Sequence, residues 1–204
     1  LYPLVFGYEP IPEAVSVQGG DPARFLLEPV TGAAVAYDEG WVLLDSGFNV
    51  DTVRDPGERA RHFNFDSYTA IVPPGDPLVD QVALAGLAWR DLAFCAVSHL
   101  HLDHTGGLRL LEDGPPVVLQ RAEWEFGSGL TFDEALEHAF FRDDYVREGL
   151  RVETVDGDTE LAPGLRALDT RGHTPGRAHV SPPSRGAPSR SRCSTAPRAG
   201  CRGR

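Results

Sequence analysis

The residues with the clearest capacity for chemistry lie in one run, "HLHLDH", from His99 to His104. Three imidazoles and the Asp103 carboxylate fall within six positions, directly after the apolar segment "DLAFCAV". In an extended chain, alternation places His99 and His101 on the same side, where both can hold one cation. A bend after them turns Asp103 and His104 another way, toward a second ion. Imidazole with carboxylate suits zinc and its first-row neighbours, and the soft thiolates of a closed structural site are missing. Gly106 and Gly107 follow and allow the backbone to turn tightly beside such ions. A lone histidine in a loop is ordinarily just a polar residue; a cluster this dense, delivered by a strand, points to metal chemistry.

The elements that must position these side chains are short. "RFLLEP", "GAAVAY" and "GWVLLDSG" read as consecutive strands punctuated by Gly and Pro. "GDPLVDQVALAGL" reads as a helix, with Asp76 as its cap, Pro77 in its first position, and Leu78, Val82 and Ala85 at helical spacing. "DLAFCAVS" is the strand that leads into the histidines. "PPVVLQ" is another strand, "RAEWEF" opens a helical stretch, and "FDEALEHAFFRDDYVREGL" reads as largely helical. "LRVETVDGDTELAPGLRALDT" reads as three short strands with turns at Asp156-Gly157 and Pro163-Gly164. Strands and helices intermix, so the fold class is α/β or α+β.

Other residues are more simply structural. Trp124, Phe126, Phe140, Phe141 and Tyr145 recur at helical spacing and read as core before they read as an acyl pocket. Asp143 and Asp144 read as a solvated helical face, His62 and His138 as surface or packing residues, and Cys95 as a small buried hydrophobe. Cys193 and Cys201 imply no disulfide framework.

A chain of 204 residues is expected to form one domain. No apolar run approaches the roughly 20 residues that span a bilayer, and no signal-peptide pattern is present, so a cytoplasmic location is expected. The net charge of −11 is uneven: residues 177–204 contribute +7 and the rest −18. An acidic body excludes nucleic acid as a substrate, and the basic tail has no aromatic residue on which bases could stack. None of these features fixes an oligomeric state.

"SHLHLDHTGG" resembles the H-x-H-x-D-H signature of the metallo-β-lactamase superfamily, whose fold is an αβ/βα sandwich. "GWVLLDSG" resembles that family's upstream strand-Asp-Gly element, which makes Asp45 a support for the metal loop. "VDGDTELAPGLRALDTRGHTPG" is similar to the family's downstream segment, and the likeness covers roughly residues 20–176. Within the family the order of elements is most similar to N-acyl homoserine lactone lactonases, the quorum-quenching enzymes. The resemblance implies that His99, His101 and His173 bind a first ion and that Asp103 and His104 bind a second, both expected to be Zn2+. It implies a small-molecule lactone substrate, opened by a hydroxide that bridges the two metals, with Asp103 passing a proton to the leaving alkoxide. Glyoxalase II-type thioesterases share both metal motifs and are the alternative, as is a non-catalytic fragment of the fold.

The resemblance also implies a bridging Asp and a final His after His173. The chain has no Asp or Glu beyond Asp169, its only later histidine is His179, and Arg177 stands where a second histidine would complete "GHTPGH". From Arg177 onward the chain is rich in Arg, Pro and Ser, with one Val, and is expected to be a disordered tail of residues 177–204 following a truncated hydrolase domain of residues 1–176. A shifted reading frame would account for this. "APSRSRCSTAP" has permitted codons that, read two bases later, encode Ala-Val-Thr-Val-Thr-Leu-Phe-Asp-Arg-Ala, an alternating strand ending in an Asp near Ser194 and Thr195. On that reading the chain as written is expected to be inactive.

Overall fold

Residues 1–63 and 70–182 are described by the structure, a computed structural model. A six-stranded sheet contains β1 (Tyr2–Pro12), β2 (Phe25–Tyr37), β3 (Gly40–Leu44), β4 (Leu92–Ala96), β5 (Val117–Gln120) and β6 (Val152–Val155), in that spatial order. β1, β2 and β3 run antiparallel, and β3 through β6 run parallel. A smaller antiparallel sheet contains β7 (Thr159–Ala162), β8 (Leu165–Asp169) and β9 (Ala178–Ser181). The helices are α1 (Glu13–Ser16), α2 (Val50–Arg54), α3 (Pro56–His62), α4 (Pro77–Leu84), α5 (Leu102–Thr105), α6 (Arg121–Gly129), α7 (Phe132–Glu137) and α8 (Arg142–Tyr145).

The central strands are buried on both faces, and their two-residue period sorts them into two cores. Val42, Leu44, Phe94, Ala96 and Val118 face the smaller sheet, where they meet Leu161, Leu165, Ala167 and Ala178. Leu43, Cys95, Val97, Val117 and Leu119 face the other way, against Phe48, Leu78, Val82, Leu100 and the aromatic residues of the α7–α8 region. Each fully buried aliphatic side chain contributes roughly 1.5–3 kcal/mol, so the continuous apolar runs of β3, β4 and β5 hold both layers together. No helix of the described residues contributes to the inter-sheet core. The order is therefore helices, large sheet, small sheet.

Most sequence-based elements are found where expected. Asp76 caps α4 through the amides of Leu78 and Val79, with Pro77 in the first turn. Cys95 is fully buried. Four points differ. "RFLLEP" and "GAAVAY" form one long strand, β2, because pairing with β1 carries the chain straight through Pro29 and Gly32. β1 itself, interrupted by Pro and Gly in sequence, was not foreseen. The stretch after Thr131 is two short helices, α7 and α8, separated by Ala139 at φ 55. Finally, the break expected at Arg177 is displaced. Ala178–Ser181 pair with Arg166–Asp169 in β9, because backbone pairing orders a segment that has little side-chain hydrophobicity of its own. The disorder expected of residues 183–204 lies outside the described residues.

No helix among the described residues is long and apolar enough to cross a membrane.

Candidate metal centre

β4 ends at Ala96, and the chain then carries Ser98, His99 and His101 across the end of the large sheet before α5 begins at Leu102. The turn before α2, which follows β3, grips this loop. Asp45 Oδ1 accepts from the Ser98 amide at 2.7 Å and Asp45 Oδ2 from the Ser98 hydroxyl at 2.9 Å. The Ser46 amide and hydroxyl both donate to the His104 carbonyl, at 2.9 and 2.8 Å. Asp45 sits at φ 55, a left-handed conformation that Asp tolerates better than most residues. The role expected for Asp45 thus has a concrete form: it holds the loop at Ser98 and touches His104.

Gly106 serves this junction differently from expectation. Its φ of −63 is ordinary, so no turn requires glycine there. A Cβ would instead lie 1.7 Å from the Asn49 amide nitrogen. Close approach of two backbones is what demands a residue without a side chain.

His173 arrives from the loop between β8 and β9, and Ala178 fixes that loop by donating to the Ser98 carbonyl at 2.9 Å. The ligand atoms of His99, His101 and His173 all lie within 4.8 Å of one another. His101 Nδ1 is 3.1 Å from both His99 Nε2 and His173 Nε2. Metal–nitrogen bonds of about 2.0–2.1 Å at tetrahedral angles separate neighbouring ligand nitrogens by about 3.3 Å. The three imidazoles therefore fit a single ion of that kind. His99 is buried, His101 half-buried and His173 exposed.

Electrostatics favour the same reading. Burial, then the neighbouring imidazoles, pushes the pKa of His99 well below its ordinary value. Burial lowers His101 to about 4, against an opposing pull from Asp103. Burial and then Arg177 lower His173. All three are thereby held as neutral imidazoles, the form that donates to a cation.

Asp103 and His104 lie beside this cluster, with His104 Nε2 3.0 Å from Asp103 Oδ2 and His104 Nδ1 3.0 Å from Asp45 Oδ2. Burial works against charge on His104, but Asp45 and Asp103 outweigh it and raise its pKa. Burial likewise works against ionised Asp103, yet His104 holds its carboxyl below the usual range.

The other sequence candidates divide cleanly. His62 is buried against Phe132 and Phe141, with ring centroids 5.4 and 4.8 Å away. His138 contacts Phe126 and Phe140. Phe140, Phe141 and Tyr145 are core, with Trp124 and Phe126 packed against them. Asp143 pairs with Arg61 at the surface. Asp144 is not on a solvated face: α8 turns it inward, where it is 2 % exposed and meets Asn49. Sequence reading also passed over Glu123, a fully buried carboxylate in α6. Glu123 and Gly127 share one helical face, and only the tertiary structure shows that this face is buried.

Residues 28–186 match the metallo-beta-lactamase superfamily. The chain belongs to this superfamily. Membership implies binding of a divalent metal ion, and the three-histidine cluster supplies donors for one. The chain is 30% identical over 159 residues to an N-acyl homoserine lactonase of a Bacillus species, a match covering 76% of this chain and 58% of that protein. It is 28% identical over 156 residues to the N-acyl homoserine lactonase AttM of Agrobacterium fabrum, covering 72% and 57% respectively. The chain therefore spans less than two thirds of the length of these curated relatives. Among solved structures, a mutant of AiiA from B. thuringiensis with N-decanoyl-L-homoserine bound at its active site superposes with a TM-score of 0.74 at 26% identity. That match covers 88% of this chain and 68% of the AiiA chain. The mixed α/β architecture of the superfamily is thus present here.

Proposed function

We propose that this chain carries the metal-binding part of a hydrolase that opens the lactone ring of N-acyl homoserine lactones. The observation that carries this reading is the convergence of His99, His101 and His173 on the wall of a cavity of about 910 Å3. His99, His101 and His173 would hold one divalent ion, Asp103 and His104 would contribute to a second, and zinc suits both donor sets. The chemistry such ions supply is polarisation of a carbonyl and acidification of water. Asp103, kept ionised beside His104, offers a carboxylate oxygen that takes the proton released by the attacking water. It returns that proton to the alkoxide as the ring C–O bond breaks. Ile11, Pro12 and Val15 also line the cavity and offer apolar surface to an acyl chain. The substrate is neutral, so the acidic body of the protein does not repel it.

The test has two stages. The codons around Arg177 decide whether the downstream ligands were lost by a shift of frame, and an intact frame whose codons cannot encode the alternating strand rules this out. Ring opening of an N-acyl homoserine lactone is then measured beside thioester hydrolysis, on this chain and on a frame-restored protein. Lactone turnover by the frame-restored protein that disappears with chelator and with His101→Ala, with little or none by the chain as written, is the expected result. Thioester turnover alone would replace the lactonase assignment with a thioesterase.

A further inference from the structure

Glu123 does not line the cavity, yet it is bonded to both histidine loops. Its carboxylate is 0 % exposed. Oε1 accepts from the amide of Leu100, the residue between His99 and His101, at 2.9 Å. Oε2 accepts from the hydroxyl of Thr174 at 2.8 Å and from the amide of Gly176 at 2.9 Å, both just beyond His173. One oxygen serves each loop. The approach is also close: a Cβ on Gly176 would stand 2.1 Å from the Glu123 amide nitrogen.

We propose that Glu123 is a positioning residue that sets the separation of His101 from His173, and so the affinity of the metal site. The inference rests on the metal reading of the three histidines. The physical ground is the acceptor count. A carboxylate accepts on both sides and donates on neither, whereas a glutamine of the same shape presents an NH2 group to one loop. That amide would face the N–H of Leu100 or the N–H of Gly176, donor against donor, and only the Thr174 hydroxyl could turn to accept from it. A buried carboxylate is costly unless its hydrogen bonds are made. Here the bonds that offset the cost are the ones that join the two ligand segments.

The experiment compares the full 204-residue chain with Glu123→Gln and Thr174→Val, and uses Glu134→Gln, at the exposed capping box of α7, as a control. Two readouts are taken. In the metal-free protein, the ring protons of His101 and His173 are close enough for a nuclear Overhauser effect, with centroids 4.6 Å apart. In the second, zinc affinity is measured by competition with a chelator. Glu123→Gln is expected to abolish the effect between the rings and to weaken zinc about 10–100-fold. Thr174→Val, which removes one of the three bonds, falls between it and the control. Ring contact retained, with zinc affinity within twofold of wild type, overturns the proposal, as does lower thermal stability with unchanged affinity. If Glu123→Gln does not fold, Thr174→Val decides by the same readouts. If wild type takes up no zinc while the ring contact is still lost on substitution, the metal reading falls and the positioning role stands.

Discussion

Asn49 Nδ2 donates a 2.7 Å hydrogen bond to Asp144 Oδ1 inside the core, and no described residue partners the other oxygen, Oδ2. Asn49 is thereby engaged twice, since its own Oδ1 caps α2 through the amides of Asp51 and Thr52. The pair ties α2 to α8 behind the metal loop.

Burial raises the pKa of Asp144 from 3.8 to about 7. The folded state then keeps a proton that the unfolded chain releases, so stability is lost as pH climbs from about 4 toward 7 and levels off above that. Asp144→Asn removes this dependence. Its stability relative to wild type is expected to improve by about 2–3 kcal/mol between pH 5 and pH 8, read from urea midpoints at the two pH values. A constant difference across that range would contradict the burial argument.

Asp45→Ala leaves the Ser98 amide without its acceptor and places alanine at a φ that alanine resists. A loss of about 2–4 kcal/mol is expected. Asp45→Asn keeps one oxygen for Ser98 and tolerates the same φ, so it should cost clearly less. Equal destabilisation of the two variants in denaturant melts would sink this account.

Gly106→Ala drives a methyl into the backbone of Phe48 and Asn49, neither of which can swing aside. Overpacking against main chain is expected to cost about 3 kcal/mol or more. Gly129→Ala, at the end of α6 with no atom within 4 Å of the added carbon, should be neutral or slightly stabilising. Differential scanning calorimetry of the two variants separates these outcomes.

Arg177 lies close enough to His99 and His173 to depress both. A guanidinium there also opposes a divalent cation. Arg177→Ala should tighten zinc binding roughly twofold to fivefold, measured by chelator competition at low salt. In the unaltered chain, elemental analysis should find fewer than two ions per molecule, because no Asp or Glu follows Asp169. Two tightly held ions would refute that expectation.

Much of the fold could be read from residues 40–47 and 92–120, where apolar runs buried on both faces leave little choice but central parallel strands. The metal loop was legible because imidazoles are rare and their spacing is local. His173 required more, since "GHTPG" carries little information alone; its neighbours in space come from a segment 74 positions earlier. Glu123 and Asp144 were missed or misassigned for one reason. An acidic residue in a short helix reads as solvated unless the tertiary face of that helix is known, and helices of four to nine residues show too few turns to define one. β9 escaped notice because main-chain pairing, with little help from side chains, orders it.

His99 and His101 belong to a loop of the large sheet, and His173 to a loop of the small one. The cluster consequently exists only when the two sheets are mated, and a cation held by all three rings acts as a rivet between them. Ligand occupancy and folding then become one linked equilibrium: raising free metal a hundredfold above its dissociation constant adds about 2.7 kcal/mol to the native state. For a chain whose inter-sheet core has no helix among the described residues, an ion bound at that junction would be a fastener whatever chemistry it supplied.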